Sequence, residues 1–269
     1  MNVFTKTIAV LLPLACACSA IAADPWADAV DSYIEGSGVV AGFNDPTASL
    51  GEPTRFTSPS SPFGGQVTPF NSPFGADELV SIGEGGSLTL RFDEPVKDEP
   101  GNPFGIDLLV FGNSFLLLSS FPADETTTAT GTTSEGGVIS VSADGITYVE
   151  VPGVDADGVF PTLGYDDTSV PFPSSGTAPT LFTRPVDPSA NLVGLTTSEI
   201  VALYDRSGGG AGIDLAVTGL SEISYVRITN PDGSGVTPEI DAVADVRSVP
   251  EPATLLLAVI AAPFFRRQR

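Results

Sequence analysis

Four side chains with hard oxygen ligands lie on or beside predicted strands. Asp107 stands on the apolar face of residues 106–111, where an unpaired carboxylate is costly. Asn113 follows the end of that strand, and Asp214 follows a glycine-rich segment later in the chain. Asp241 belongs to a late strand face that is mostly acidic. Because calcium prefers oxygen ligands, convergence of these four residues would form a structural calcium site that joins strand ends.

The same residues have a simpler interpretation. Asp107 is also satisfied if it accepts hydrogen bonds from backbone amides or pairs with an arginine such as Arg91 or Arg227. The other acids are then solvated surface groups. The sequence leaves both interpretations open, because it does not show whether these oxygens converge.

Several kinds of catalytic and metal site are excluded. The chain has no histidine, and its two cysteines, Cys16 and Cys18, lie in a segment predicted to be removed. A Ser-His-Asp triad, a zinc site built on histidine or cysteine, and a cysteine nucleophile therefore have no residues to form them. The glycine run over residues 207–212 lacks the Gly-Lys-Ser/Thr ending of a phosphate-binding loop and is expected to form a turn. Carboxylate pairs can hydrolyse glycosides, but no spacing singles out such a pair, so we expect no enzymatic activity.

The predicted mature chain is strongly acidic. Seven basic residues stand against 32 acidic ones between the two terminal segments, a net charge of about −25. Such a chain repels phosphate backbones, so we expect no nucleic-acid partner. The same charge attracts divalent cations, although acidic surfaces also serve solubility alone.

Short alternating runs separated by turns indicate an all-β fold. In residues 87–92 the apolar and polar side chains alternate, which is typical of a half-buried antiparallel strand. Asp144-Gly145 between two such runs is a hairpin signal. We expect a single antiparallel β-sandwich, jelly-roll-like, over residues 23–248, with long loops and at most one or two short helices. The predicted strands are residues 79–82, 87–92, 106–111, 138–142, 146–151, 213–217, 223–229 and 239–246; the predicted long loops are 54–74 and 152–188; and a short helix capped by Thr197 is predicted over 197–204.

The two ends of the chain carry sorting information. Residues 1–22 combine Lys6, an apolar core and a small-residue cleavage site, which predicts a signal peptide for removal by signal peptidase. Residues 249–269 run through Pro250, Glu251 and Pro252 into a largely apolar stretch of 13 residues, which is followed by an arginine cluster that includes Arg266 and Arg267.

This tail resembles the PEP-CTERM sorting signal of bacterial surface proteins. The resemblance implies transient attachment to the inner membrane and cleavage by an exosortase near Pro-Glu-Pro. The apolar segment is shorter than the roughly 20 residues of a spanning helix. The expected location is the cell surface or the extracellular matrix.

The body also resembles bacterial cell-surface proteins of the β-sandwich kind. The blocks that carry the resemblance include "VSIGEGGSLTLRFDEPV", "GNPFGIDLLVFGNSF" and "VSADGITYVEVPG". We expect a non-catalytic module that binds glycan or polymer, such as exopolysaccharide, and is stabilised by calcium. A purely structural matrix protein and a carboxylate-based glycan-active enzyme are the alternatives. Sugars stack on exposed aromatic rings, and the aromatic candidates are Trp26, Tyr33, Tyr165 and Tyr204.

Overall fold

The computed structural model of the chain describes residues 24–246. The predicted signal peptide (residues 1–22) and the predicted sorting tail (residues 249–269) lie outside the described residues.

Antiparallel strands dominate the described part of the chain, with one α-helix, α1 (Thr197–Tyr204), and three short 3-10 helices. The strands are β1 (Ala29–Ile34), β2 (Phe56–Thr57), β3 (Gly65–Gln66), β4 (Val80–Ser81), β5 (Ser87–Lys97), β6 (Leu108–Gly112), β7 (Phe115–Leu118), β8 (Ala129–Thr133), β9 (Gly136–Ser142), β10 (Val149–Asp157), β11 (Ala211–Ile213), β12 (Glu222–Thr229) and β13 (Glu239–Asp245). The 3-10 helices span Pro46–Ser49, Pro103–Gly105 and Leu215–Thr218.

Two larger sheets pack face to face. One has five strands in the order β1-β5-β12-β9-β10, and the other has four in the order β11-β6-β13-β4. The main core lies between them, with Leu88 and Val226 from the first sheet against Val110 and Val243 from the second. The prediction of an all-β, sandwich-like fold with antiparallel sheets is confirmed, because the period-two runs bury one face of each sheet.

The second face of the four-stranded sheet is buried as well. Leu109 and Phe111 of β6 pack there with Phe182, which comes from the long segment after β10. A further apolar cluster lies between this segment and α1, whose Ile200 and Tyr204 are fully buried. Residues 54–74, which contain the β2–β3 hairpin, and residues 158–188 form a covering layer on this face. The prediction of a loop over residues 152–157 is wrong, because these residues belong to β10 of the five-stranded sheet.

The helix spans the predicted residues 197–204, but its N-cap lies one residue before the predicted cap, Thr197. Thr196 is the N-cap: its hydroxyl accepts from the Glu199 amide, while the Glu199 carboxylate accepts from the Thr196 amide. This reciprocal pair satisfies amide groups at the start of the helix, and Thr197 is the first helical residue instead.

The late acidic strand does not keep the single acidic face that the sequence suggested. A bulge between Ile240 and Ala242 shifts the register of β13 against β6. Ile240 and Val243 therefore both enter the main core, while Ala242 and Ala244 face the covering layer. One extra residue in a bulge reverses the alternation of every residue after it.

Candidate metal centre

Three carboxylates meet at one edge of the sandwich. Asp98, Asp107 and Asp214 each offer an oxygen within 4.8 Å of the others. Two opposite ligands of an ion bound at about 2.4 Å are separated by roughly the same distance. These three residues, called the acidic cluster below, are therefore able to hold a metal ion.

The acidic cluster joins the two sheets. Asp98 follows β5 of the five-stranded sheet, and its amide bonds to the carbonyl of Ser221, the residue directly before β12. Asp107 directly precedes β6 of the four-stranded sheet, and Asp214 directly follows β11 of the same sheet. An ion held here would connect the segment that leaves one sheet to two strands of the other.

Asp107 is fully buried and is held by three donors. Its Oδ1 accepts from the Glu99 amide at 2.9 Å and from the Asn102 Nδ2 at 3.0 Å, and its Oδ2 accepts from the Leu215 amide at 3.0 Å. Burial raises the pKa of Asp107, the three hydrogen bonds oppose that shift, and the nearby charge of Asp98 adds to it. Since a carboxylate has about four acceptor sites, one remains for a cation.

The simpler interpretation of Asp107 is therefore right about backbone amides. The arginine alternative does not occur with the two residues named: Arg91 pairs with Asp93, and the Arg227 guanidinium bonds to Thr89 and lies over the Tyr148 ring.

The other two carboxylates have oxygens to spare. Asp214 uses Oδ1 to cap the 3-10 helix that follows it, accepting from the Ala216 amide at 2.9 Å. Within residues 24–246 no hydrogen bond reaches its Oδ2 or either carboxylate oxygen of Asp98. These free oxygens and the open position on Asp107 supply the kind of oxygen ligands that hard cations take.

Asn113 and Asp241 do not belong to the acidic cluster. Asp107 and Asn113 lie at opposite ends of β6, about 20 Å apart for six extended residues. Asp241 lies across from the Asn113 end, because its neighbours Ile240 and Ala242 pair with Gly112 and Phe111. The prediction that all four side chains share one ion is therefore wrong, while the placement of Asp107 beside Asp214 agrees with it.

Asp241 is satisfied within the protein. It is 3 % exposed, and its two oxygens accept from the amide and the hydroxyl of Thr54 at 2.8 and 3.0 Å. Burial is the main cause that raises the pKa of Asp241 to about 7, against the opposing effect of the Thr54 bonds.

Asn113 lies in a second acidic site, a pocket of about 380 Å³ that it lines with Glu135, Asp157 and Glu239. Asn113 donates to Glu239, whose other oxygen accepts from the Ser81 hydroxyl. Burial raises the pKa of Glu239, and burial together with the Glu239 charge raises the pKa of Glu135. The pocket also exposes part of the Phe115 ring and threonine and serine hydroxyls.

Asp157 is the most deeply buried carboxylate of this pocket. Its two oxygens accept from the Ser114 and Glu135 amides, both at 2.7 Å. Burial is the largest cause that raises its pKa to about 7; the two amide bonds oppose the shift, and the charges of Glu135 and Glu239 add to it.

The aromatic candidates for sugar stacking are engaged in packing. Tyr204 is 1 % exposed and donates to the Pro161 carbonyl, and Trp26 packs edge-on against Phe182. The Tyr33 hydroxyl donates to the Ser81 carbonyl, and the Tyr165 ring lies against Gly176. Their rings are therefore largely covered by the protein itself.

The glycine run does not form the predicted turn: the turn lies at residues 205–206, directly after α1, and residues 208–210 carry the chain from there to β11. A Cβ on Gly208 would lie 2.1 Å from the Phe182 ring, and one on Gly209 would lie 2.4 Å from the Pro161 carbonyl oxygen. These glycines allow the chain to pass closely beneath the covering layer and lead into β11.

Sequence reasoning missed Asp98, Glu135, Asp157 and Glu239 as site residues. Asp98 was the easiest of them to predict from sequence. The segment "DEPGNPFGID" places it nine residues before Asp107, and two Pro/Gly-containing turns lie between them. Glu135 and Asp157 meet through pairing of β9 with β10, for which the sequence has no local signal.

No helix within residues 24–246 is long and apolar enough to cross a membrane. A comparison with models of known protein families finds no match, and neither does a comparison with curated protein sequences.

Proposed function

We propose that this chain is an exported, non-catalytic surface module of the β-sandwich kind, and that calcium stabilises its fold at the acidic cluster. The convergence of Asp98, Asp107 and Asp214 between the two sheets carries the proposal. The Ser-Pro-Gly-rich body and the two terminal sorting segments support a location at the cell surface or in the matrix.

The chemistry of the acidic cluster favours calcium among the common cations. All available ligands are oxygens, and calcium accepts six to eight oxygens in flexible geometry. Magnesium demands a smaller octahedral shell and retains several waters. A bound cation would relieve the repulsion among three carboxylates, one of which is fully buried.

The pocket lined by Asn113, Glu135, Asp157 and Glu239, called the acidic pocket below, is our candidate surface for binding exopolysaccharide. Carboxylates and the Asn113 amide suit the hydroxyls of a sugar, and the Phe115 ring, 37 % exposed, offers an apolar face beside them. A purely structural matrix role would need no such contact.

The same pocket supports a second candidate, glycan hydrolysis. Glu135 and Glu239 both have a raised pKa, and paired carboxyl groups with separated roles are what glycosidases use. Incubation with polysaccharides separates the two: retention without new reducing ends indicates binding, whereas release of reducing ends that Glu239→Gln abolishes indicates catalysis.

Calcium stabilisation is tested by thermal unfolding of the purified protein in calcium, in magnesium and in EDTA. We expect a calcium-specific rise of the melting temperature, equivalent to about 2.7 kcal/mol at a hundred times the dissociation constant. Asp98→Asn with Asp214→Asn should abolish the rise, whereas Asp155→Asn, an exposed acid of β10, should preserve it. Equal melting in all three solutions would refute calcium stabilisation.

A further inference from the structure

We propose that Asn102 is a fourth protein ligand of the acidic cluster and that its side-chain amide reverses when a cation binds. This inference rests on the proposed calcium site. It adds a neutral oxygen to the three carboxylates and makes the whole segment from Asp98 to Asp107 a metal-binding loop.

Asn102 carries a buried oxygen with no partner. The residue is 5 % exposed, and its Nδ2 donates to Asp107 Oδ1 at 3.0 Å. No donor within residues 24–246 reaches its Oδ1. Most buried polar atoms in folded proteins have a hydrogen-bond partner, so this oxygen calls for one.

Reversal of the amide would give this oxygen a cation as its partner; it would also break the Nδ2 bond to Asp107 and move Nδ2 into the position that Oδ1 now holds. The two ends of an asparagine amide have nearly the same shape, so a half-turn places Oδ1 where Nδ2 now lies, at about the same 3.0 Å from Asp107 Oδ1. Two oxygens at that distance repel each other unless a cation lies between them. About 3 Å is also the separation of adjacent ligands bound at roughly 2.4 Å to one calcium ion.

The loop backbone holds Asn102 in this position. The Asn102 amide bonds to the Glu99 carbonyl, and the Gly105 amide bonds back to the Asn102 carbonyl, which forms two successive turns. Phe104 and Gly105 adopt left-handed φ values of 59° and 71° to complete the second turn. Asn102 therefore faces inward toward Asp107, although it lies between two prolines and glycines that alone would predict an exposed loop.

Asparagine variants distinguish a ligand from a simple hydrogen-bond donor. Asn102→Ala removes both the donor and the oxygen, whereas Asn102→Asp keeps oxygens and removes the donor. We expect Asn102→Ala to weaken calcium binding about tenfold or more in titration calorimetry with calcium alone. We expect Asn102→Asp to melt lower than the wild type in EDTA, to bind calcium at least as tightly, and to regain stability when calcium is added.

The protein for these measurements is purified after expression of the full chain. The matched control is Asn191→Asp, a change at an exposed asparagine, which should leave calcium binding unchanged. Calcium affinity of Asn102→Ala within about threefold of the wild type would overturn the ligand role and leave the calcium site intact. Absence of calcium binding by the wild type would overturn the site itself and the ligand role with it. If Asn102→Ala does not fold, Asn102→Asp tests the proposal instead. Loss of calcium binding by Asn102→Asp would overturn it, because aspartate still supplies the oxygen. Retained calcium binding, with thermal stability regained when calcium is added, would support it.

Discussion

The buried Asp157 predicts an unusual dependence of stability on pH. Its pKa is raised to about 7 in the folded protein, against the ordinary 3.8. A carboxyl group with a raised folded-state pKa binds its proton more tightly in the folded state than in the unfolded state. Its contribution to stability is therefore fully present below about pH 4 and is lost as the pH rises through 7.

The magnitude follows from proton binding. Between pH 5 and 6 the folded state holds about one more proton on Asp157 than the unfolded state, so the free energy of unfolding falls by about 1.4 kcal/mol per pH unit; near pH 7 the difference is about half a proton and the slope about half as steep. The loss from pH 5 to pH 8 is about 2–3 kcal/mol for this group. Asp241, with a pKa of about 7 and similar burial, adds a comparable loss.

Urea unfolding from pH 5 to 8 measures this slope directly. Acids with lowered pKa, such as Asp45 and Asp144, titrate below this window and do not contribute to it. We expect Asp157→Asn to reduce the slope by up to about 1.4 kcal/mol per pH unit, because it removes one group while Asp241 and the other acids with a raised pKa, Asp107, Glu135 and Glu239, remain. Asp155→Asn, at an exposed acid of the same strand, should leave the slope unchanged. A wild-type protein whose unfolding free energy is constant or rises over this range would refute the assignment of raised pKa values to these two buried acids.

Three further outcomes are expected. Thr54→Val removes the hydroxyl that donates to ionised Asp241, so urea unfolding at pH 8 should show a loss of about 1.5–3 kcal/mol that Thr54→Ser largely avoids; equal stability of the two variants would contradict this role. Thr196→Ala removes the helix cap and should cost about 1 kcal/mol by thermal unfolding, with Thr196→Ser close to the wild type; an unchanged melting temperature would argue against the capping box. The intact mass of the exported protein should correspond to loss of residues 1–22 and of the segment after Pro252, and recovery of a species that retains Phe264 would count against tail removal.

Local alternation predicted most of the architecture, and its failures have identifiable causes. The predicted strand over residues 146–151 begins later, at Val149, because the Asp144 side chain accepts from the Ile146 and Thr147 amides and extends the turn. The predicted strand over 213–217 ends at Ile213, where Asp214 caps a 3-10 helix. Strand β1 was not predicted, because its sequence "AVDSYI" alternates weakly and β1 is stabilised by pairing with the distant β5.

The acidic cluster was half predictable. The apolar run that contains Asp107 predicts from sequence alone that this carboxylate is buried and needs partners. Which residues approach it depends on the loop after β5 and on the β6–β11 pairing, and both are tertiary features. The length of β6 alone should have separated Asn113 from Asp107, since six residues in extended conformation cannot converge on one ion.

The acids within residues 24–246 whose pKa is shifted divide into two groups that differ in what the sequence reveals about them. Those with lowered pKa bond to backbone amides and hydroxyls, and most do so within two or three residues, as Asp45 does with Thr47 and Asp187 with Ser189. Such Asp-x-Ser/Thr turns are local, so they are readable from sequence, and they account for a share of the acidity without any ligand. Asp107, Asp157 and Asp241 instead accept from residues brought by tertiary packing, and burial raises the pKa of each. Of these three, Asp107 alone has free carboxylate oxygens of two other residues beside it, which is why a cation is proposed there and not at the other two.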